Sequence, residues 1–355
     1  MGFILSVVSL HCSASESLDI PSFNRVISFG DSLSDMGNID DAPVSNGSVW
    51  VDHLSRTYIG IDGSIASMEG GFNYSFAGAA TGSFEKENPT PSAAQQIEMF
   101  TEDHGLFTQG DLVTLWIGGN DFLDNEENPT PSEILSTRYE AIIARLVKLG
   151  AKHILWGLMP DTGLLPPYVE HPDRENYSEY ALSLNQIIKN LARSNQSKFP
   201  NISIILFDYH HLQLRVIEDP TFFGVQDPRI ETSDGSDLSI AFLMSDGVHP
   251  TAKGHQIIAE EAYKSLHSYY SNRNKTDESI VIKIQSFTVD KSGVASLTFT
   301  SDEGLLYVVE HSDDLAEWID ISGVLQTESS VTELSDTIEE PLPLKGFYRI
   351  RSFSE

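Results

Sequence analysis

The chain has a single cysteine and few basic residues. Cys12 stands alone, so an intrachain disulfide is excluded. Among 355 residues, 22 lysines and arginines face 52 aspartates and glutamates, which gives a formal net charge of -30 at pH 7. An electrostatic field of this sign disfavours binding to nucleic acids and to anionic membrane surfaces. We interpret the acidic excess as a source of solubility, and we expect no nucleic-acid partner.

Long hydrophobic runs are also missing from the sequence, so we expect no transmembrane segment. The apolar run from Phe3 to Leu10 is too short to span a bilayer. It resembles the core of a secretory signal peptide, with Cys12-Ser13-Ala14 as the cleavage site and without the usual basic start. These features predict a truncated signal peptide or N-terminal extension over residues 1–20, and a secreted or periplasmic protein.

Strand-like and helix-like segments alternate through the first three quarters of the chain. With 40% hydrophobic and 21% charged residues, the composition is that of a globular protein. Strands are predicted at 26–29, 74–77, 112–117, 153–158 and 202–207, and helices at 49–58, 92–104, 132–149, 176–198 and 251–270. This alternation predicts βαβ units and a parallel sheet, an α/β domain over residues 21–270.

The pattern changes after the last predicted helix. Residues 271–279 have the polar composition of a linker. From residue 280 to residue 355, short runs of alternating apolar and polar residues are separated by Gly, Ser and Asp turns. This pattern predicts a small all-β, sandwich-like C-terminal module.

Ser32 lies in a glycine-bearing turn directly after the first predicted strand. Ligand sites of α/β proteins gather outside the carboxyl ends of parallel strands, so this serine is a candidate nucleophile. A neutral hydroxyl needs a base to take its proton. The alternative is that Ser32 only caps the following helix. Ser34 stands where the Gly-x-Ser-x-Gly elbow has its second glycine, which argues against an ordinary α/β-hydrolase.

Asp246 and His249 are a candidate acid–base pair. Their i, i+3 spacing lets the carboxylate accept a hydrogen bond from Nδ1 of the imidazole, so that the other ring nitrogen is free to face a serine. The alternative is an Asp-Gly turn beside an exposed histidine. The adjacent His210 and His211 have no carboxylate or cysteine pattern near them in sequence, so we predict no metal and no cofactor.

Gly78 and Asn120 are candidate oxyanion donors. Each follows a predicted strand, and acyl transfer needs preorganised donors where negative charge develops on the carbonyl oxygen. A glycine lets the substrate approach its N–H, an asparagine amide supplies a second donor, and the N–H of Ser32 is the third. Taken singly, a glycine after a strand is more often backbone geometry, and an asparagine after two glycines is more often a turn.

Together these blocks resemble the GDSL lipase/esterases, or SGNH hydrolases, over residues 24–270. Their defining Ser, Gly, Asn and His correspond here to Ser32, Gly78, Asn120 and His249. The segments at 29–38, 159–166 and 246–251 are similar to the branch that contains phospholipase/haemolysin-like and plant-type esterases. The resemblance implies a flavodoxin-like three-layer α/β/α fold, metal-free ester hydrolysis, and a triad completed by Asp246.

We therefore predict a serine hydrolase that cleaves small-molecule or lipid carboxylic esters through an acyl-enzyme. One alternative is a polysaccharide O-acetylesterase of the same fold, and another is a non-catalytic binding protein that keeps it. The tail resembles the C-terminal β-modules of secreted bacterial enzymes, which makes a polysaccharide or a cell surface a second candidate partner.

Overall fold

A computed structural model of the chain describes residues 20–83, 90–123, 129–230, 232 and 237–274, together with seven strands in the C-terminal part. The chain divides into two compact units, Pro21–His267 and a second one that contains Ser268–Glu355. The predicted signal segment before Ile20, including Cys12, and residues 275–279 of the predicted linker lie outside the described residues. The predicted domain boundaries therefore stay predictions.

The first unit is built on a parallel sheet. Its strands, in the order β1-β2-β3-β4, are β1 (Arg25–Gly30), β2 (Asp111–Trp116), β3 (His153–Gly157) and β4 (Ser203–Phe207). Residues 72–76 run along the free side of β1, where the N–H of Tyr74 donates to the Ser28 carbonyl at 2.8 Å. Counted with this segment, the order in chain numbering is 2-1-3-4-5, which is the flavodoxin-like arrangement.

Seven α-helices connect these strands within the described residues. They are α1 (Trp50–His53), α2 (Ala93–His104), α3 (Asn120–Leu123), α4 (Ser132–Lys148), α5 (Arg174–Lys198), α6 (Tyr209–Glu218) and α7 (Ala252–Asn274). All six residues of β2 are buried, so both faces of the sheet are covered. The predicted α/β fold is confirmed, because a parallel sheet with both faces covered is the expected product of βαβ units.

Some predicted elements differ from the observed ones. The predicted helix at 49–58 is split into α1 and a π-helix over Leu54–Ile59. The predicted strand at 74–77 is not observed as a strand, and isolated bridges form instead at Asn73, just before it. Helix α6 was not predicted, and helix α7 continues to Asn274, into the predicted linker.

A glycine lets two aromatic side chains meet above β3. A Cβ on Gly157 would lie 2.6 Å from the Trp116 ring and 2.7 Å from Phe207. With glycine there, the rings of Trp116 and Phe207 pack with their centroids 5.0 Å apart. Trp50 contacts both rings, so an aromatic cluster from three elements covers this part of the sheet.

The described part of the second unit is antiparallel. Its strands are β5 (Ile284–Val289), β6 (Val294–Thr300), β7 (Leu305–Ser312), β8 (Ile319–Asp320), β9 (Leu325–Gln326), β10 (Val331–Thr337) and β11 (Phe347–Ser354). They pair as β10-β6-β5 and as β11-β7-β8, with β9 also on β7. The rings of Phe299 and Tyr307, one from each sheet, are buried and lie 5.3 Å apart. The sandwich-like arrangement itself stays a prediction.

Candidate active site

Ser32 lies in a tight turn at the carboxyl end of β1. A Cβ on Gly30 would lie 2.5 Å from the carbonyl oxygen of Trp116, so only glycine lets β1 and β2 end this close together. The Asp31 carbonyl then accepts from the N–H groups of Ser34 and Asp35, both at 3.0 Å. The turn is therefore closed by its own backbone, and it places Ser32 in the cavity beside the sheet.

A continuous chain of hydrogen bonds joins Ser32, His249 and Asp246. The distance from Ser32 Oγ to His249 Nε2 is 2.8 Å, and the distance from His249 Nδ1 to Asp246 Oδ2 is also 2.8 Å. An ionised carboxylate can accept a hydrogen bond but cannot donate one, so the proton of a neutral His249 ring lies on Nδ1. Nε2 is then the acceptor for the serine hydroxyl, which is the arrangement of a general base.

The segment that carries Asp246 and His249 is held mainly by bonds to itself. Asp246 Oδ1 accepts from the N–H groups of Val248 and His249 at 2.9 and 3.0 Å. The N–H of Met244 donates to the His249 carbonyl at 2.7 Å. Upstream, the N–H of Gln226 donates to the carbonyl of Ile240 at 2.7 Å and ties the two ends of the preceding loop.

The ionised form of Asp246 is favoured. Partial burial by itself would raise the pKa of this carboxyl, but the hydrogen bonds from the His249 ring and from the N–H groups of His249 and Val248 outweigh it and lower the pKa to about 2. The carboxylate is therefore negative throughout the neutral range, where it fixes the tautomer of His249 and stabilises an imidazolium.

Gly78 and Asn120 line the same cavity as the three residues above, so all five predicted site residues come together. Gly78 has a left-handed backbone, with φ of 77°. Asn120 begins α3, and its Nδ2 donates to the Ala79 carbonyl at 2.8 Å. This bond uses one of the two N–H groups of the amide, which leaves the other for a ligand.

Asp35 holds the backbone next to Gly78, a contact that sequence reasoning missed. Its Oδ2 accepts from the N–H of Ala77 at 2.8 Å, and its Oδ1 accepts from the N–H groups of Gly37 and Asn38 at 2.8 and 2.7 Å. One buried carboxylate therefore links the Ser32 turn to the residue before Gly78. Asp35 stands inside the first sequence block, but nothing local indicates that its partner lies 42 residues away.

Asp121, the neighbour of Asn120, is a second buried carboxylate that links two loops of the site. It has no exposed side-chain surface and accepts from the N–H and the hydroxyl of Thr81, at 2.8 and 2.6 Å. Arg138 lies 3.1 Å from the same carboxylate. Burial raises the pKa of Asp121 despite the Thr81 bonds and the arginine, which lower it. The two loops that carry the candidate oxyanion donors are therefore joined through one buried carboxylate.

Gln96 of α2 forms two hydrogen bonds with the backbone of Gly30 at the end of β1. Its Oε1 accepts from the Gly30 N–H at 2.9 Å, and its Nε2 donates to the Gly30 carbonyl at 2.8 Å. The side chain is fully buried. No sequence signal marks this glutamine, because an isolated amide in a helix is usually a surface residue.

Asp31, between Gly30 and Ser32, is the second carboxyl in the lining of the cavity, and its pKa is also shifted. Burial raises its pKa to about 7, although the Leu33 N–H and the nearby His249 lower it. Its Oδ1 accepts from the Leu33 N–H at 3.1 Å. Asp31 and Asp246 therefore line one cavity with pKa values on opposite sides of the ordinary value.

The cavity has a volume of about 350 Å³ and mainly apolar walls. Its apolar lining includes Leu33, Val44, Leu123, Met159, Leu165 and Val248. Within the described residues, no group of three or more His, Cys, Asp and Glu side chains is placed to hold a metal ion. In the same part of the chain, no helix is both long and apolar enough to cross a membrane.

Comparison with known proteins gives one family. The profile described as GDSL-like Lipase/Acylhydrolase matches residues 26–262. A phosphatidylcholine-sterol acyltransferase of Aeromonas hydrophila is 29% identical over 249 residues, which cover 66% of this chain and 72% of that protein. The thermolabile hemolysin of Vibrio parahaemolyticus is 26% identical over 285 residues, which cover 68% of this chain and 63% of that protein.

Solved structures are similar at a lower level. A lipase/acylhydrolase from Enterococcus faecalis is 18% identical, with a TM-score of 0.41, and covers 71% of this chain and 97% of its own. An acetylxylan esterase from Geobacillus stearothermophilus is 14% identical, with a TM-score of 0.41, and covers 71% and 98%. The family match spans the parallel sheet from Val26 onward and all five predicted site residues, and it confirms the resemblance seen in the sequence. The chain belongs to the GDSL-like lipase/acylhydrolase family of carboxylic ester hydrolases.

Proposed function

We propose that the protein hydrolyses acyl esters through a covalent intermediate on Ser32. The observation that carries the proposal is the hydrogen-bond chain from Ser32 through His249 to Asp246, with both distances at 2.8 Å. A serine hydroxyl is a weak nucleophile until an adjacent base accepts its proton. His249 is placed to do so, and its own orientation is set by a carboxylate with a low pKa.

The reaction has two halves. Ser32 Oγ attacks the ester carbonyl while its proton moves to Nε2 of His249, and the C–O bond to the alcohol then breaks as His249 returns that proton to the leaving oxygen. In the second half, water attacks the acyl carbonyl while His249 takes its proton, and the bond to Ser32 Oγ then breaks as His249 returns that proton to Oγ and the acid leaves. Asp246 stays ionised throughout and stabilises the imidazolium in both halves.

Three donors are assigned to the oxyanion in this proposal. They are the backbone N–H groups of Ser32 and Gly78 and the second N–H of the Asn120 amide. Asp35 and Asp121 hold the two loops that carry Gly78 and Asn120, so the donors need little rearrangement when charge develops. Preorganised donors of this kind supply a large part of the rate in acyl transfer.

The substrate class that the cavity favours is an ester with an apolar acyl chain. A volume of about 350 Å³ is at the low end of small-molecule pockets and exceeds what an acetyl group needs. The walls next to Ser32 are mainly aliphatic, which supports a lipid or other acyl ester over an acetylated polysaccharide. The name of the Aeromonas relative also points to acyl-ester chemistry.

The test is labelling followed by a hydrolysis panel. A fluorophosphonate probe should label the wild-type protein and not Ser32→Ala. Among p-nitrophenyl esters, kcat/KM should rise from acetyl to medium chain lengths and should exceed the activity on acetylated xylan. No labelling, or no hydrolysis of any ester, would overturn the proposal in favour of a binding protein. A clear preference for acetylated xylan would favour the O-acetylesterase.

We also propose that the protein is secreted or periplasmic and that its C-terminal part binds a polysaccharide or a cell surface. The support is the signal-like run at residues 3–10 and the resemblance of the tail to modules of secreted enzymes. Expression in a Gram-negative host, followed by fractionation and N-terminal sequencing, tests the first point. Retention in the cytoplasm with residues 1–20 intact would contradict it.

A further inference from the structure

Tyr209 lines the cavity but has no role in the proposed chemistry. It is the first residue of α6, directly after the Asp208 N-cap that follows β4. Its side chain lines the same cavity as Ser32 and His249 while being only 2% exposed. The ring packs edge-on against Trp116, with centroids 5.0 Å apart and planes at 80°. This packing fixes the ring, so the hydroxyl has a defined position.

Among the described residues the hydroxyl of Tyr209 has no hydrogen-bond partner, in contrast to the hydroxyls of Tyr74 and Tyr139. Tyr74 donates to Asp103 at 2.7 Å, and Tyr139 donates to the Ile117 carbonyl. A buried tyrosine hydroxyl usually has such a partner. Burial raises the pKa of Tyr209, so the phenol keeps its proton at every physiological pH and is a donor. A fixed, protonated and unpaired donor in a substrate cavity is suited to bind an oxygen of the substrate.

Tyr209 comes from a different strand end than the proposed oxyanion donors, so we expect its hydroxyl to meet an oxygen other than that of the reacting carbonyl. The proposed oxyanion donors follow the segment 72–76, β1 and β2, whereas Tyr209 follows β4 at the opposite end of the sheet order. Water can bond the hydroxyl until a substrate displaces it. A substrate that fills this space with a methyl group forfeits that hydrogen bond, and one that brings an oxygen keeps it.

We propose that Tyr209 is a specificity-determining residue that donates a hydrogen bond to an oxygen of the substrate outside the ester group. The enzyme then prefers esters that carry a hydroxyl or second carbonyl in the alcohol or the acyl part over esters in which a methyl group replaces it. This inference rests on the proposed hydrolysis at Ser32 and adds a class of substrate to it.

Two isosteric pairs of substrates test the proposal and separate the two parts of the ester. Glycerol monobutyrate against 2-methylbutyl butyrate varies the alcohol part, and ethyl 6-hydroxyhexanoate against ethyl heptanoate varies the acyl part. Tyr209→Phe keeps the ring and removes only the hydroxyl. In at least one pair, the ratio of kcat/KM for the oxygen-bearing ester to that for its isostere should fall about 3–10-fold in Tyr209→Phe, the value of one hydrogen bond.

Tyr74→Phe is the matched control, because it removes a hydroxyl that has a partner outside the cavity. It should lower the melting temperature and leave both ratios unchanged, whereas Tyr209→Phe should keep its melting temperature. Unchanged ratios for Tyr209→Phe, or an equal loss for both members of each pair, would overturn the inference while leaving the proposed hydrolysis intact. A wild-type protein that hydrolyses none of the four esters would instead overturn the proposed function, and this inference with it.

Discussion

On the Ser32 side of the cavity, buried side chains from distant parts of the sequence hold the backbone, whereas on the His249 side the segment is held by its neighbours. Asp121 and Gln96 are fully buried and bridge separate elements. The side chains of Asp246 and His249 remain 44% and 20% exposed. The backbone on the Ser32 side is therefore held by contacts from the whole fold. The side chains of Asp246 and His249 should contribute little to the free energy of unfolding.

The largest effect is expected from the proposed triad of Ser32, His249 and Asp246, which joins the two sides. Ser32→Ala and His249→Ala should each lower kcat by about 10⁴–10⁶-fold, because the two groups act as a unit. The double variant should be little worse than either single one, and Asp246→Asn should be severe but leave more activity. Kinetics with one p-nitrophenyl ester, on variants of unchanged circular dichroism, measure this. Losses that add in free energy would contradict the assignment.

A smaller loss is expected from Asn120, the proposed oxyanion donor on the buried side. Asn120→Ala should lower kcat by about 10²–10³-fold with little change in KM, as removal of one such donor does. Steady-state kinetics over a range of substrate concentrations separate the two constants. A normal kcat with a raised KM would mean that Asn120 binds the ground state instead.

The loss in the free energy of unfolding should be larger for a substitution on the Ser32 side than for one on the His249 side. Asp121→Ala leaves the Thr81 N–H, its hydroxyl and Arg138 without their partner, so unfolding should become easier by about 2–4 kcal/mol. Asp246→Ala should cost less, about 1 kcal/mol, because this carboxylate is 44% exposed and water can replace it as the acceptor for its partners. Urea denaturation of both variants makes the comparison. Equal losses would mean that the His249 side is held by the fold as tightly as the Ser32 side.

The stability contributions of Asp246 and Asp31 should depend on pH in opposite directions. Because the pKa of Asp246 is lowered to about 2, its contribution to stability is present above the unfolded pKa near 4 and is lost as the pH falls towards 2. Because the pKa of Asp31 is raised to about 7, its ionisation opposes folding, and stability falls as the pH rises from about 4 to 7.

Asp31→Asn isolates the second dependence. Between pH 4 and pH 7, the free energy of unfolding of the wild type should fall by up to about 4 kcal/mol relative to this variant. The shift in the pKa of Asp31 sets this upper bound. Urea denaturation of both proteins at several pH values measures the difference. A difference that does not change with pH would show that Asp31 keeps an ordinary pKa in the folded protein.

The smallest effect is expected from chelation. Dialysis against EDTA should leave the hydrolysis rate unchanged, because the proposed mechanism takes its base and its oxyanion donors from side chains and backbone. A loss of rate that an added metal restores would contradict this, and a melting curve would then tell a structural ion from a catalytic one.

The elements and the site were predictable to different degrees. The strands were largely predictable because buried β-branched runs are a local signal, and the order of the blocks brought the five site residues to one edge of the sheet. Residues 74–77 were predicted as a strand, yet the structure has only isolated bridges at Asn73, to Ser28 and to Ala66.

The residues that hold the site were not predictable from the sequence. Gln96 and Asp121 act through partners 66 and 40 residues away, and a single sequence carries no signal of that pairing. Tyr209 was missed for another reason. The short helix α6 begins directly after β4, so the apolar run of the strand concealed the start of the helix.

The self-contained bonding around His249 has a consequence for protein engineering. The Gln226 N–H and the Ile240 carbonyl close the loop before Leu243, and the Met244 N–H closes the next turn on the His249 carbonyl. Thr232 Oγ1, inside this loop, donates to the Leu243 carbonyl at 2.9 Å, so an insertion that keeps Thr232 in place lengthens the loop without changing the hydrogen bonds of His249. This loop is the natural position for grafted peptides or for libraries aimed at new substrate selectivity.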